Sequence, residues 1–311
     1  MRGRGLIALV LGAAAVVCAT PVPYSAGPLL TTYGYPDNYA VPAGGSYDGV
    51  PLDGVARLRI SMGGTSYLCS GSLLTGGMTI LTAGHCVSEV VNGSEIFASS
   101  ITATFFTTSG SVAVTSTDIE LAPGWTGNYL DGSDLALIRL PAALTGITGY
   151  LLYTSDYFGV VDLAGYGAGG TGAKGITLPV GTLRAGQNRY DAVWEVADGS
   201  AAPWYAFDFD GPGIDTLGAL GIFSPSTGSN EVLDVPGDSG GPSFVGGRIV
   251  GVHAFYGTMD DSDPTGAFGD IGGDTRLSQY RGWLADYEAP EPASLALAGL
   301  GLAALWVLKR R

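Results

Sequence analysis

The sequence predicts an all-β fold, a sandwich or barrel of short strands, and three observations predict it. Glycine accounts for 51 of 311 residues, about twice the ordinary share, which argues against long helices. Apolar residues make up 46% of the chain and charged residues only 14%, the opposite of the balance that keeps a chain disordered. Short runs of alternating character, broken by Gly-rich turns, have the period of half-buried strands.

The two ends read as addresses rather than fold. Residues 1–19 have the form of a secretory signal. Arg2 and Arg4 supply the basic start, Leu6 to Val17 the apolar run, and Val17-Cys18-Ala19 a small-residue cleavage context. At the other end Glu288-Ala289-Pro290-Glu291-Pro292 leads into an apolar stretch, Leu295 to Leu308, followed by Lys309-Arg310-Arg311. That stretch is shorter than the about 20 residues a comfortable membrane span needs. This tripartite end resembles the PEP-CTERM sorting signal. The resemblance implies a Gram-negative bacterium and recognition by an exosortase-type sorting enzyme. It also implies removal of the tail near Pro290-Glu291-Pro292 and delivery of the body to the envelope, the surface or the medium. Membrane contact is then transient, through the two terminal segments alone.

Between the ends, residues 20–49 are rich in Gly, Pro, Tyr and Ser without periodicity and read as an irregular leader or propeptide. From there the predicted strands are Val55 to Met62, Met78 to Thr82, Ile101 to Thr107, Leu135 to Leu140, Val160 to Gly165 and Arg248 to Phe255. Arg276 to Tyr287 is the one predicted helix, because Leu277, Tyr280, Leu284 and Tyr287 recur three or four residues apart. The formal net charge is −14. Arg2, Arg4, Lys309, Arg310 and Arg311 lie in the terminal segments, so the body between them is more acidic still. Such a body repels phosphate backbones, which excludes nucleic acid as a natural partner.

The chemistry-bearing residues stand in three segments. Only two histidines exist in the chain. His85 lies in Leu81-Thr82-Ala83-Gly84-His85-Cys86, directly after an apolar strand, and Asp134 opens Asp134-Leu135-Ala136-Leu137-Ile138-Arg139-Leu140. Ser239 sits in a glycine turn, Gly237-Asp238-Ser239-Gly240-Gly241-Pro242. Asp131, in the Asp131-Gly132-Ser133 turn, reads as a solvated turn carboxylate. These segments resemble the His, Asp and Ser motifs of the chymotrypsin-like (trypsin-fold) serine peptidases, in that family's order. The resemblance covers roughly Val50 to Tyr287. It implies two six-stranded antiparallel β-barrels, about 50–150 and 151–275, with a closing C-terminal helix over 276–287.

It implies a function too: an exported serine endopeptidase that cleaves peptide or protein substrates through an acyl-enzyme, without metal or cofactor. A serine hydroxyl is a weak nucleophile and needs a base, the role assigned to His85, with Asp134 holding the imidazole in the right tautomer. The Gly237 and Ser239 amides would form the oxyanion hole. Asp238 pairs in the family with a new N-terminal ammonium, but no Ile-Val-Gly-Gly start precedes Val55. Val41-Pro42-Ala43-Gly44-Gly45 and Asp48-Gly49-Val50 are only loose candidates. The competing expectation is a non-catalytic envelope or matrix binding protein that keeps the peptidase fold.

With Cys18 in the signal, Cys69 and Cys86 are the two cysteines left to an exported body. A disulfide is the expectation, matching a bridge beside the family's catalytic His. A metal site is disfavoured, since two thiols and a His needed as base make a poor ligand set.

Leu233, six residues before the nucleophile, takes the place of the family's specificity-pocket base. An apolar base there disfavours Lys and Arg side chains, although Asp234 follows it directly. The Gly251-Val252-His253-Ala254-Phe255-Tyr256-Gly257 run resembles the edge that pairs with an extended peptide. This places Leu233, Asp234, His253, Ala254 and Phe255 among the substrate-binding candidates. His253 stands where the glutamyl endopeptidase branch has a His that receives an acidic side chain, and a buried core histidine is the equal alternative. Asp260, Asp261 and Asp263 read as a solvated acidic loop rather than a calcium site.

Overall fold

The computed structural model describes residues 29–32, 34–91, 93–194, 204–257 and 264–287. The signal segment 1–19, the C-terminal signal 288–311 and the Asp260, Asp261 and Asp263 loop lie outside the described residues.

Two curled sheets carry the molecule. In the first, the strand order is Gly110–Ser116, Ser100–Thr107, Val55–Met62, Thr65–Leu73, Thr79–Thr82, Ala136–Arg139, Asp118–Leu121. In the second it is Arg184–Tyr190, Gly159–Gly165, Pro242–Val245, Arg248–Gly257, Ile271–Arg276, Trp204–Asp208, Ala192–Trp194, with Leu151–Leu152 pairing alongside Arg248–Gly257. The expected all-β, two-barrel architecture of the trypsin-like fold is what forms. The sheets have seven and eight strands rather than six each. The surplus includes pieces such as Leu151–Leu152 and Ala192–Trp194, too short to carry a readable alternation.

The long strands sit where the period-2 pattern puts them. Val55–Met62 buries Leu58, Ile60 and Met62, and Ser100–Thr107 buries Ile101, Ala103 and Phe105. These alternate side chains line one continuous core that extends through Leu163, Tyr190, Phe207 and Phe244 of the second barrel.

Two expectations need correction. The leader is not irregular throughout. Leu29–Thr32 forms a strand that pairs in parallel with Gly169–Thr171 and antiparallel with Val232–Leu233, Thr31 facing Leu233 in register. Its neighbours also hold residues further along the leader: Val41 N–H donates to Leu183 O at 2.9 Å, and Arg184 Nε donates to Pro36 O at 2.6 Å. The partner strands impose this extension, so no local periodicity announces it.

The C-terminal helix is broken into 3-10 turns, Leu277–Tyr280 and Ala285–Tyr287. Gly282 between them lowers helix propensity at the centre. The inward face is nonetheless the expected one, with Leu277, Tyr280 and Leu284 buried and Tyr287 packed against the core. The segment ties the second barrel to the first: Tyr280 Oη donates to Gly132 O at 2.9 Å and Trp283 Nε1 to Glu120 Oε1 at 2.8 Å.

Candidate active site

Strand pairing in the first sheet brings His85 and Asp134 together. Thr79–Thr82 pairs with Ala136–Arg139, Thr82 opposite Ala136, so the residues just beyond Thr82 and just before Ala136 meet at one end of the ladder. His85 lies in a single helical turn, Gly84–Val87. Its backbone N–H donates to Asp134 Oδ1 at 2.8 Å, and its Nδ1 lies 2.6 Å from Asp134 Oδ2. Asp134 is fully buried and His85 is 8% exposed. Both carboxylate oxygens are thus committed to one histidine, which fixes its ring and leaves Nε2 on the far side.

Gly84 lets this turn close. A Cβ there would lie 3.1 Å from the Trp125 indole and 3.2 Å from Asp134 Oδ1. The indole, held by its Nε1–H to Ser88 Oγ at 2.6 Å, would have to give by a few tenths of an ångström to admit a methyl. Asp131 differs from the expectation of a solvated turn carboxylate. It is buried, accepting from Ser133 N at 3.2 Å and from the hydroxyls of Ser133 and Thr126. Those short-range donors replace water and keep the Asp134 loop in shape.

Ser239 enters from the second barrel on a turn closed by Asp238 N to Val235 O at 2.9 Å and Gly241 N to Asp238 O at 2.7 Å. Gly237 has φ +98° and Gly240 φ +81°, angles open to glycine. Gly240 is also required by space, since a Cβ would come within 2.4 Å of Ser70 O. Among the described residues neither Gly237 N nor Ser239 N donates to another group. Ser239 Oγ is buried and makes no hydrogen bond among the described residues. Proximity to His85 is set through Cys86, whose Sγ lies 4.0 Å from His85 Nε2 and 3.6 Å from Ser239 O.

The disulfide between Cys69 and Cys86 is present. It joins the residue after His85 to the residue before Ser70, and Ser70 is a participant that motif reading missed. Its N–H donates to Ser239 O at 2.8 Å, its Oγ donates to Gly237 O at 3.0 Å, and the same Oγ accepts from Tyr166 N at 2.8 Å. Ser70 is buried within a strand that buries both faces. A polar residue in such a run was the available signal.

Among the described residues, Asp238 is held by backbone amides and faces no ammonium. Its Oδ1 accepts from Gly167 N at 2.7 Å and its Oδ2 from Val235 N at 3.1 Å. Burial pushes its carboxyl up to about 7, while the charge on His253, the two amides and Arg184 pull it back.

The five substrate-binding candidates are all buried: Leu233, Asp234, His253, Ala254 and Phe255. His253 Nδ1 lies 2.9 Å from Asp274 Oδ1, and Asp274 Oδ2 also accepts from Ser243 Oγ and Tyr190 Oη. Burial works against a charge on His253, but Asp274, with Asp234 and Asp238, outweighs it and raises the imidazole to about 9. Burial raises Asp234 well above the carboxylate range, the His253 charge opposing it. Asp274, in a Gly-Gly-Asp-Thr run without a motif of its own, is a second residue that sequence reasoning missed. Phe255 meets Trp204 edge-on, ring centroids 4.8 Å apart. Tyr129 lies between it and His85, 6.4 Å from the first and 6.2 Å from the second.

Residues 51–180 match the Trypsin family model, a span that contains Cys69, His85, Cys86 and Asp134 and ends before Ser239. Residues 288–311 match the PEP-CTERM protein-sorting motif. Among curated proteins there is no match to the chain. The sorting motif implies export and association with the cell envelope or surface. No helix among the described residues is long and apolar enough to cross a membrane. Residues 51–180 are thus similar to the Trypsin family and residues 288–311 to the PEP-CTERM sorting motif, which joins a trypsin-like fold to a C-terminal sorting signal in one chain.

Proposed function

We propose that the protein is an exported serine endopeptidase in which Ser239 is the nucleophile, His85 the general base and Asp134 the group that orients it. The observation that carries this reading is the doubly bonded His85–Asp134 pair beside a serine whose hydroxyl and amide are both uncommitted. Ser239 Oγ attacks the peptide carbonyl carbon as His85 Nε2 takes its proton. The imidazolium formed is held by Asp134 through Nδ1–H. The carbonyl oxygen, now negative, accepts from Gly237 N and Ser239 N. One such donor is worth about 3 to 4 kcal/mol of transition-state stabilisation. His85 then protonates the leaving amine, and a water attacks the acyl-enzyme by the same route in reverse. Ser239 and His85 share no hydrogen bond among the described residues, and such catalytic bonds often tighten only when substrate binds.

Leu233 and the Phe255–Trp204 pair favour an apolar residue before the scissile bond over Lys or Arg, because Asp234 is buried and offers no exposed carboxylate to a cation. A fluorophosphonate probe tests the nucleophile. It should label the wild type and leave Ser239→Ala unlabelled, and equal labelling of both rejects the assignment. Asp134→Asn should lower kcat about 10⁴-fold by favouring the wrong tautomer. Peptides differing only before the scissile bond should show higher kcat/KM for Leu or Phe than for Lys. Absence of both probe labelling and casein turnover would favour the non-catalytic envelope or matrix binding role.

A further inference from the structure

The second barrel holds a group of carboxylates that the proposed chemistry does not use. The strand Trp204–Asp208 runs into Asp208-Phe209-Asp210-Gly211-Pro212-Gly213-Ile214-Asp215. Gly211 and Ile214 close that segment as a tight hairpin, Gly211 N to Ile214 O at 3.0 Å and Ile214 N to Gly211 O at 3.1 Å. The residues flanking this bridge, Asp210 and Asp215, are thereby folded back on each other, and Asp208 joins them. One carboxylate oxygen from each of Asp208, Asp210 and Asp215 lies within 4.8 Å of the others.

Two of the three are already anchored. Asp208 Oδ2 accepts from Leu217 N at 2.7 Å and its Oδ1 from Ser224 Oγ at 2.6 Å, while Asp215 Oδ1 accepts from Gly218 N at 2.5 Å. Glu231 holds the loop from behind, its Oε1 accepting Asp210 N at 2.6 Å. Asp210 is the exception. Its side chain is 6% exposed, its Oδ1 is buried, and it accepts no hydrogen bond among the described residues. No Lys or Arg pairs with Asp208, Asp210, Asp215 or Glu231 among them either. A buried, unpaired carboxylate is costly and calls for a counter-charge. Asp215 is exposed, so one side of the group is open to solvent and to further water ligands.

We infer that Asp208, Asp210 and Asp215 form a calcium site, with the unbonded Asp210 oxygen as its innermost ligand. The donors are all hard oxygens, which suits calcium or magnesium rather than zinc. A set presented by a loop with one open side suits the larger, more tolerant ion. The site is structural, on the second barrel away from His85, and its occupancy stands or falls apart from the peptidase reading.

Calorimetry and thermal unfolding of the purified full-length chain, stripped with EDTA, test it with CaCl₂ and MgCl₂ as probes. One calcium should bind per chain with a Kd on the order of 10⁻⁴ M, as in extracellular modules. At a hundredfold excess over that Kd the folded-to-unfolded ratio should rise about 100-fold, read as an upward Tm shift. Asp210→Asn should weaken binding about 10-fold or more through the lost ligand charge, while its Tm in EDTA equals or exceeds the wild type's. Asp215→Asn, exposed and still able to cap its helix, should weaken binding without harming the fold. Absence of heat and of a Tm shift up to 10 mM CaCl₂ (about 100 Kd), calcium binding unchanged in both variants, or an equal response to MgCl₂ overturns the assignment.

Discussion

Ser70 shows how much of a site can rest on one hydroxyl that touches no substrate. It donates to Gly237 O and accepts from the Tyr166 amide, while the Ser70 backbone N–H holds Ser239 O, so removing the hydroxyl frees the Gly237 side of the turn that carries the two amides. Ser70→Ala leaves a buried N–H unpaired, which costs about 1 to 3 kcal/mol. Its kcat should fall more than its KM rises, measured on any peptide the wild type cleaves, and Ser70→Thr should recover part of the loss. His253 makes a different prediction, about pH. Its folded-state pKa of about 9 lies above the unfolded value of 6.5. Its stabilising charge is therefore fully present below pH 6.5 and is lost as pH climbs through about 9. The groups facing it are Asp274, Asp234 and Asp238, with Tyr190 and Ser243 on the far oxygen of Asp274. Urea midpoints should drop between pH 6.5 and 9.5 in the wild type and drop less in His253→Gln.

At the level of elements, what was legible was what repeats locally. Val55–Met62 carries alternating apolar residues over eight positions and appears with the same ends. The His, Asp and Ser segments were legible because each is continuous in sequence. The Leu29–Thr32 strand was not, since its extension is supplied by Val232–Leu233 and Gly169–Thr171, more than a hundred residues away. Nor were the contributions of Ser70 and Asp274, which depend on which strand faces which. The C-terminal segment shows the converse: its 3.6-residue spacing gave the buried face correctly, while Gly282 decided against a continuous α-helix. The leader strand has a measurable role. It pairs directly with Leu233, at the edge of the substrate-binding candidates. A chain cut after residue 33 should lose Tm and probe reactivity, whereas the uncut chain should react with the fluorophosphonate, because Asp238 is already held by Gly167 N and Val235 N.

On the scale of the whole molecule, the proposed machinery is divided between the barrels, His85 and Asp134 on one and Ser239 on the other, and the Cys69–Cys86 bridge sits at the seam. Cys69→Ser with Cys86→Ser should lower stability by roughly 2 to 5 kcal/mol, seen as a lower urea midpoint. Reduction of the wild type with dithiothreitol should reproduce the shift. The consequence reaches beyond stability. Sulfur–sulfur linkage awaits an oxidising compartment, so a newly made chain still in the cytosol lacks the brace between the imidazole turn and the strand that grips the nucleophile turn. On the proposed reading, that brace would close only once the chain has been exported, so the peptidase would reach its full rigidity outside the compartment that made it.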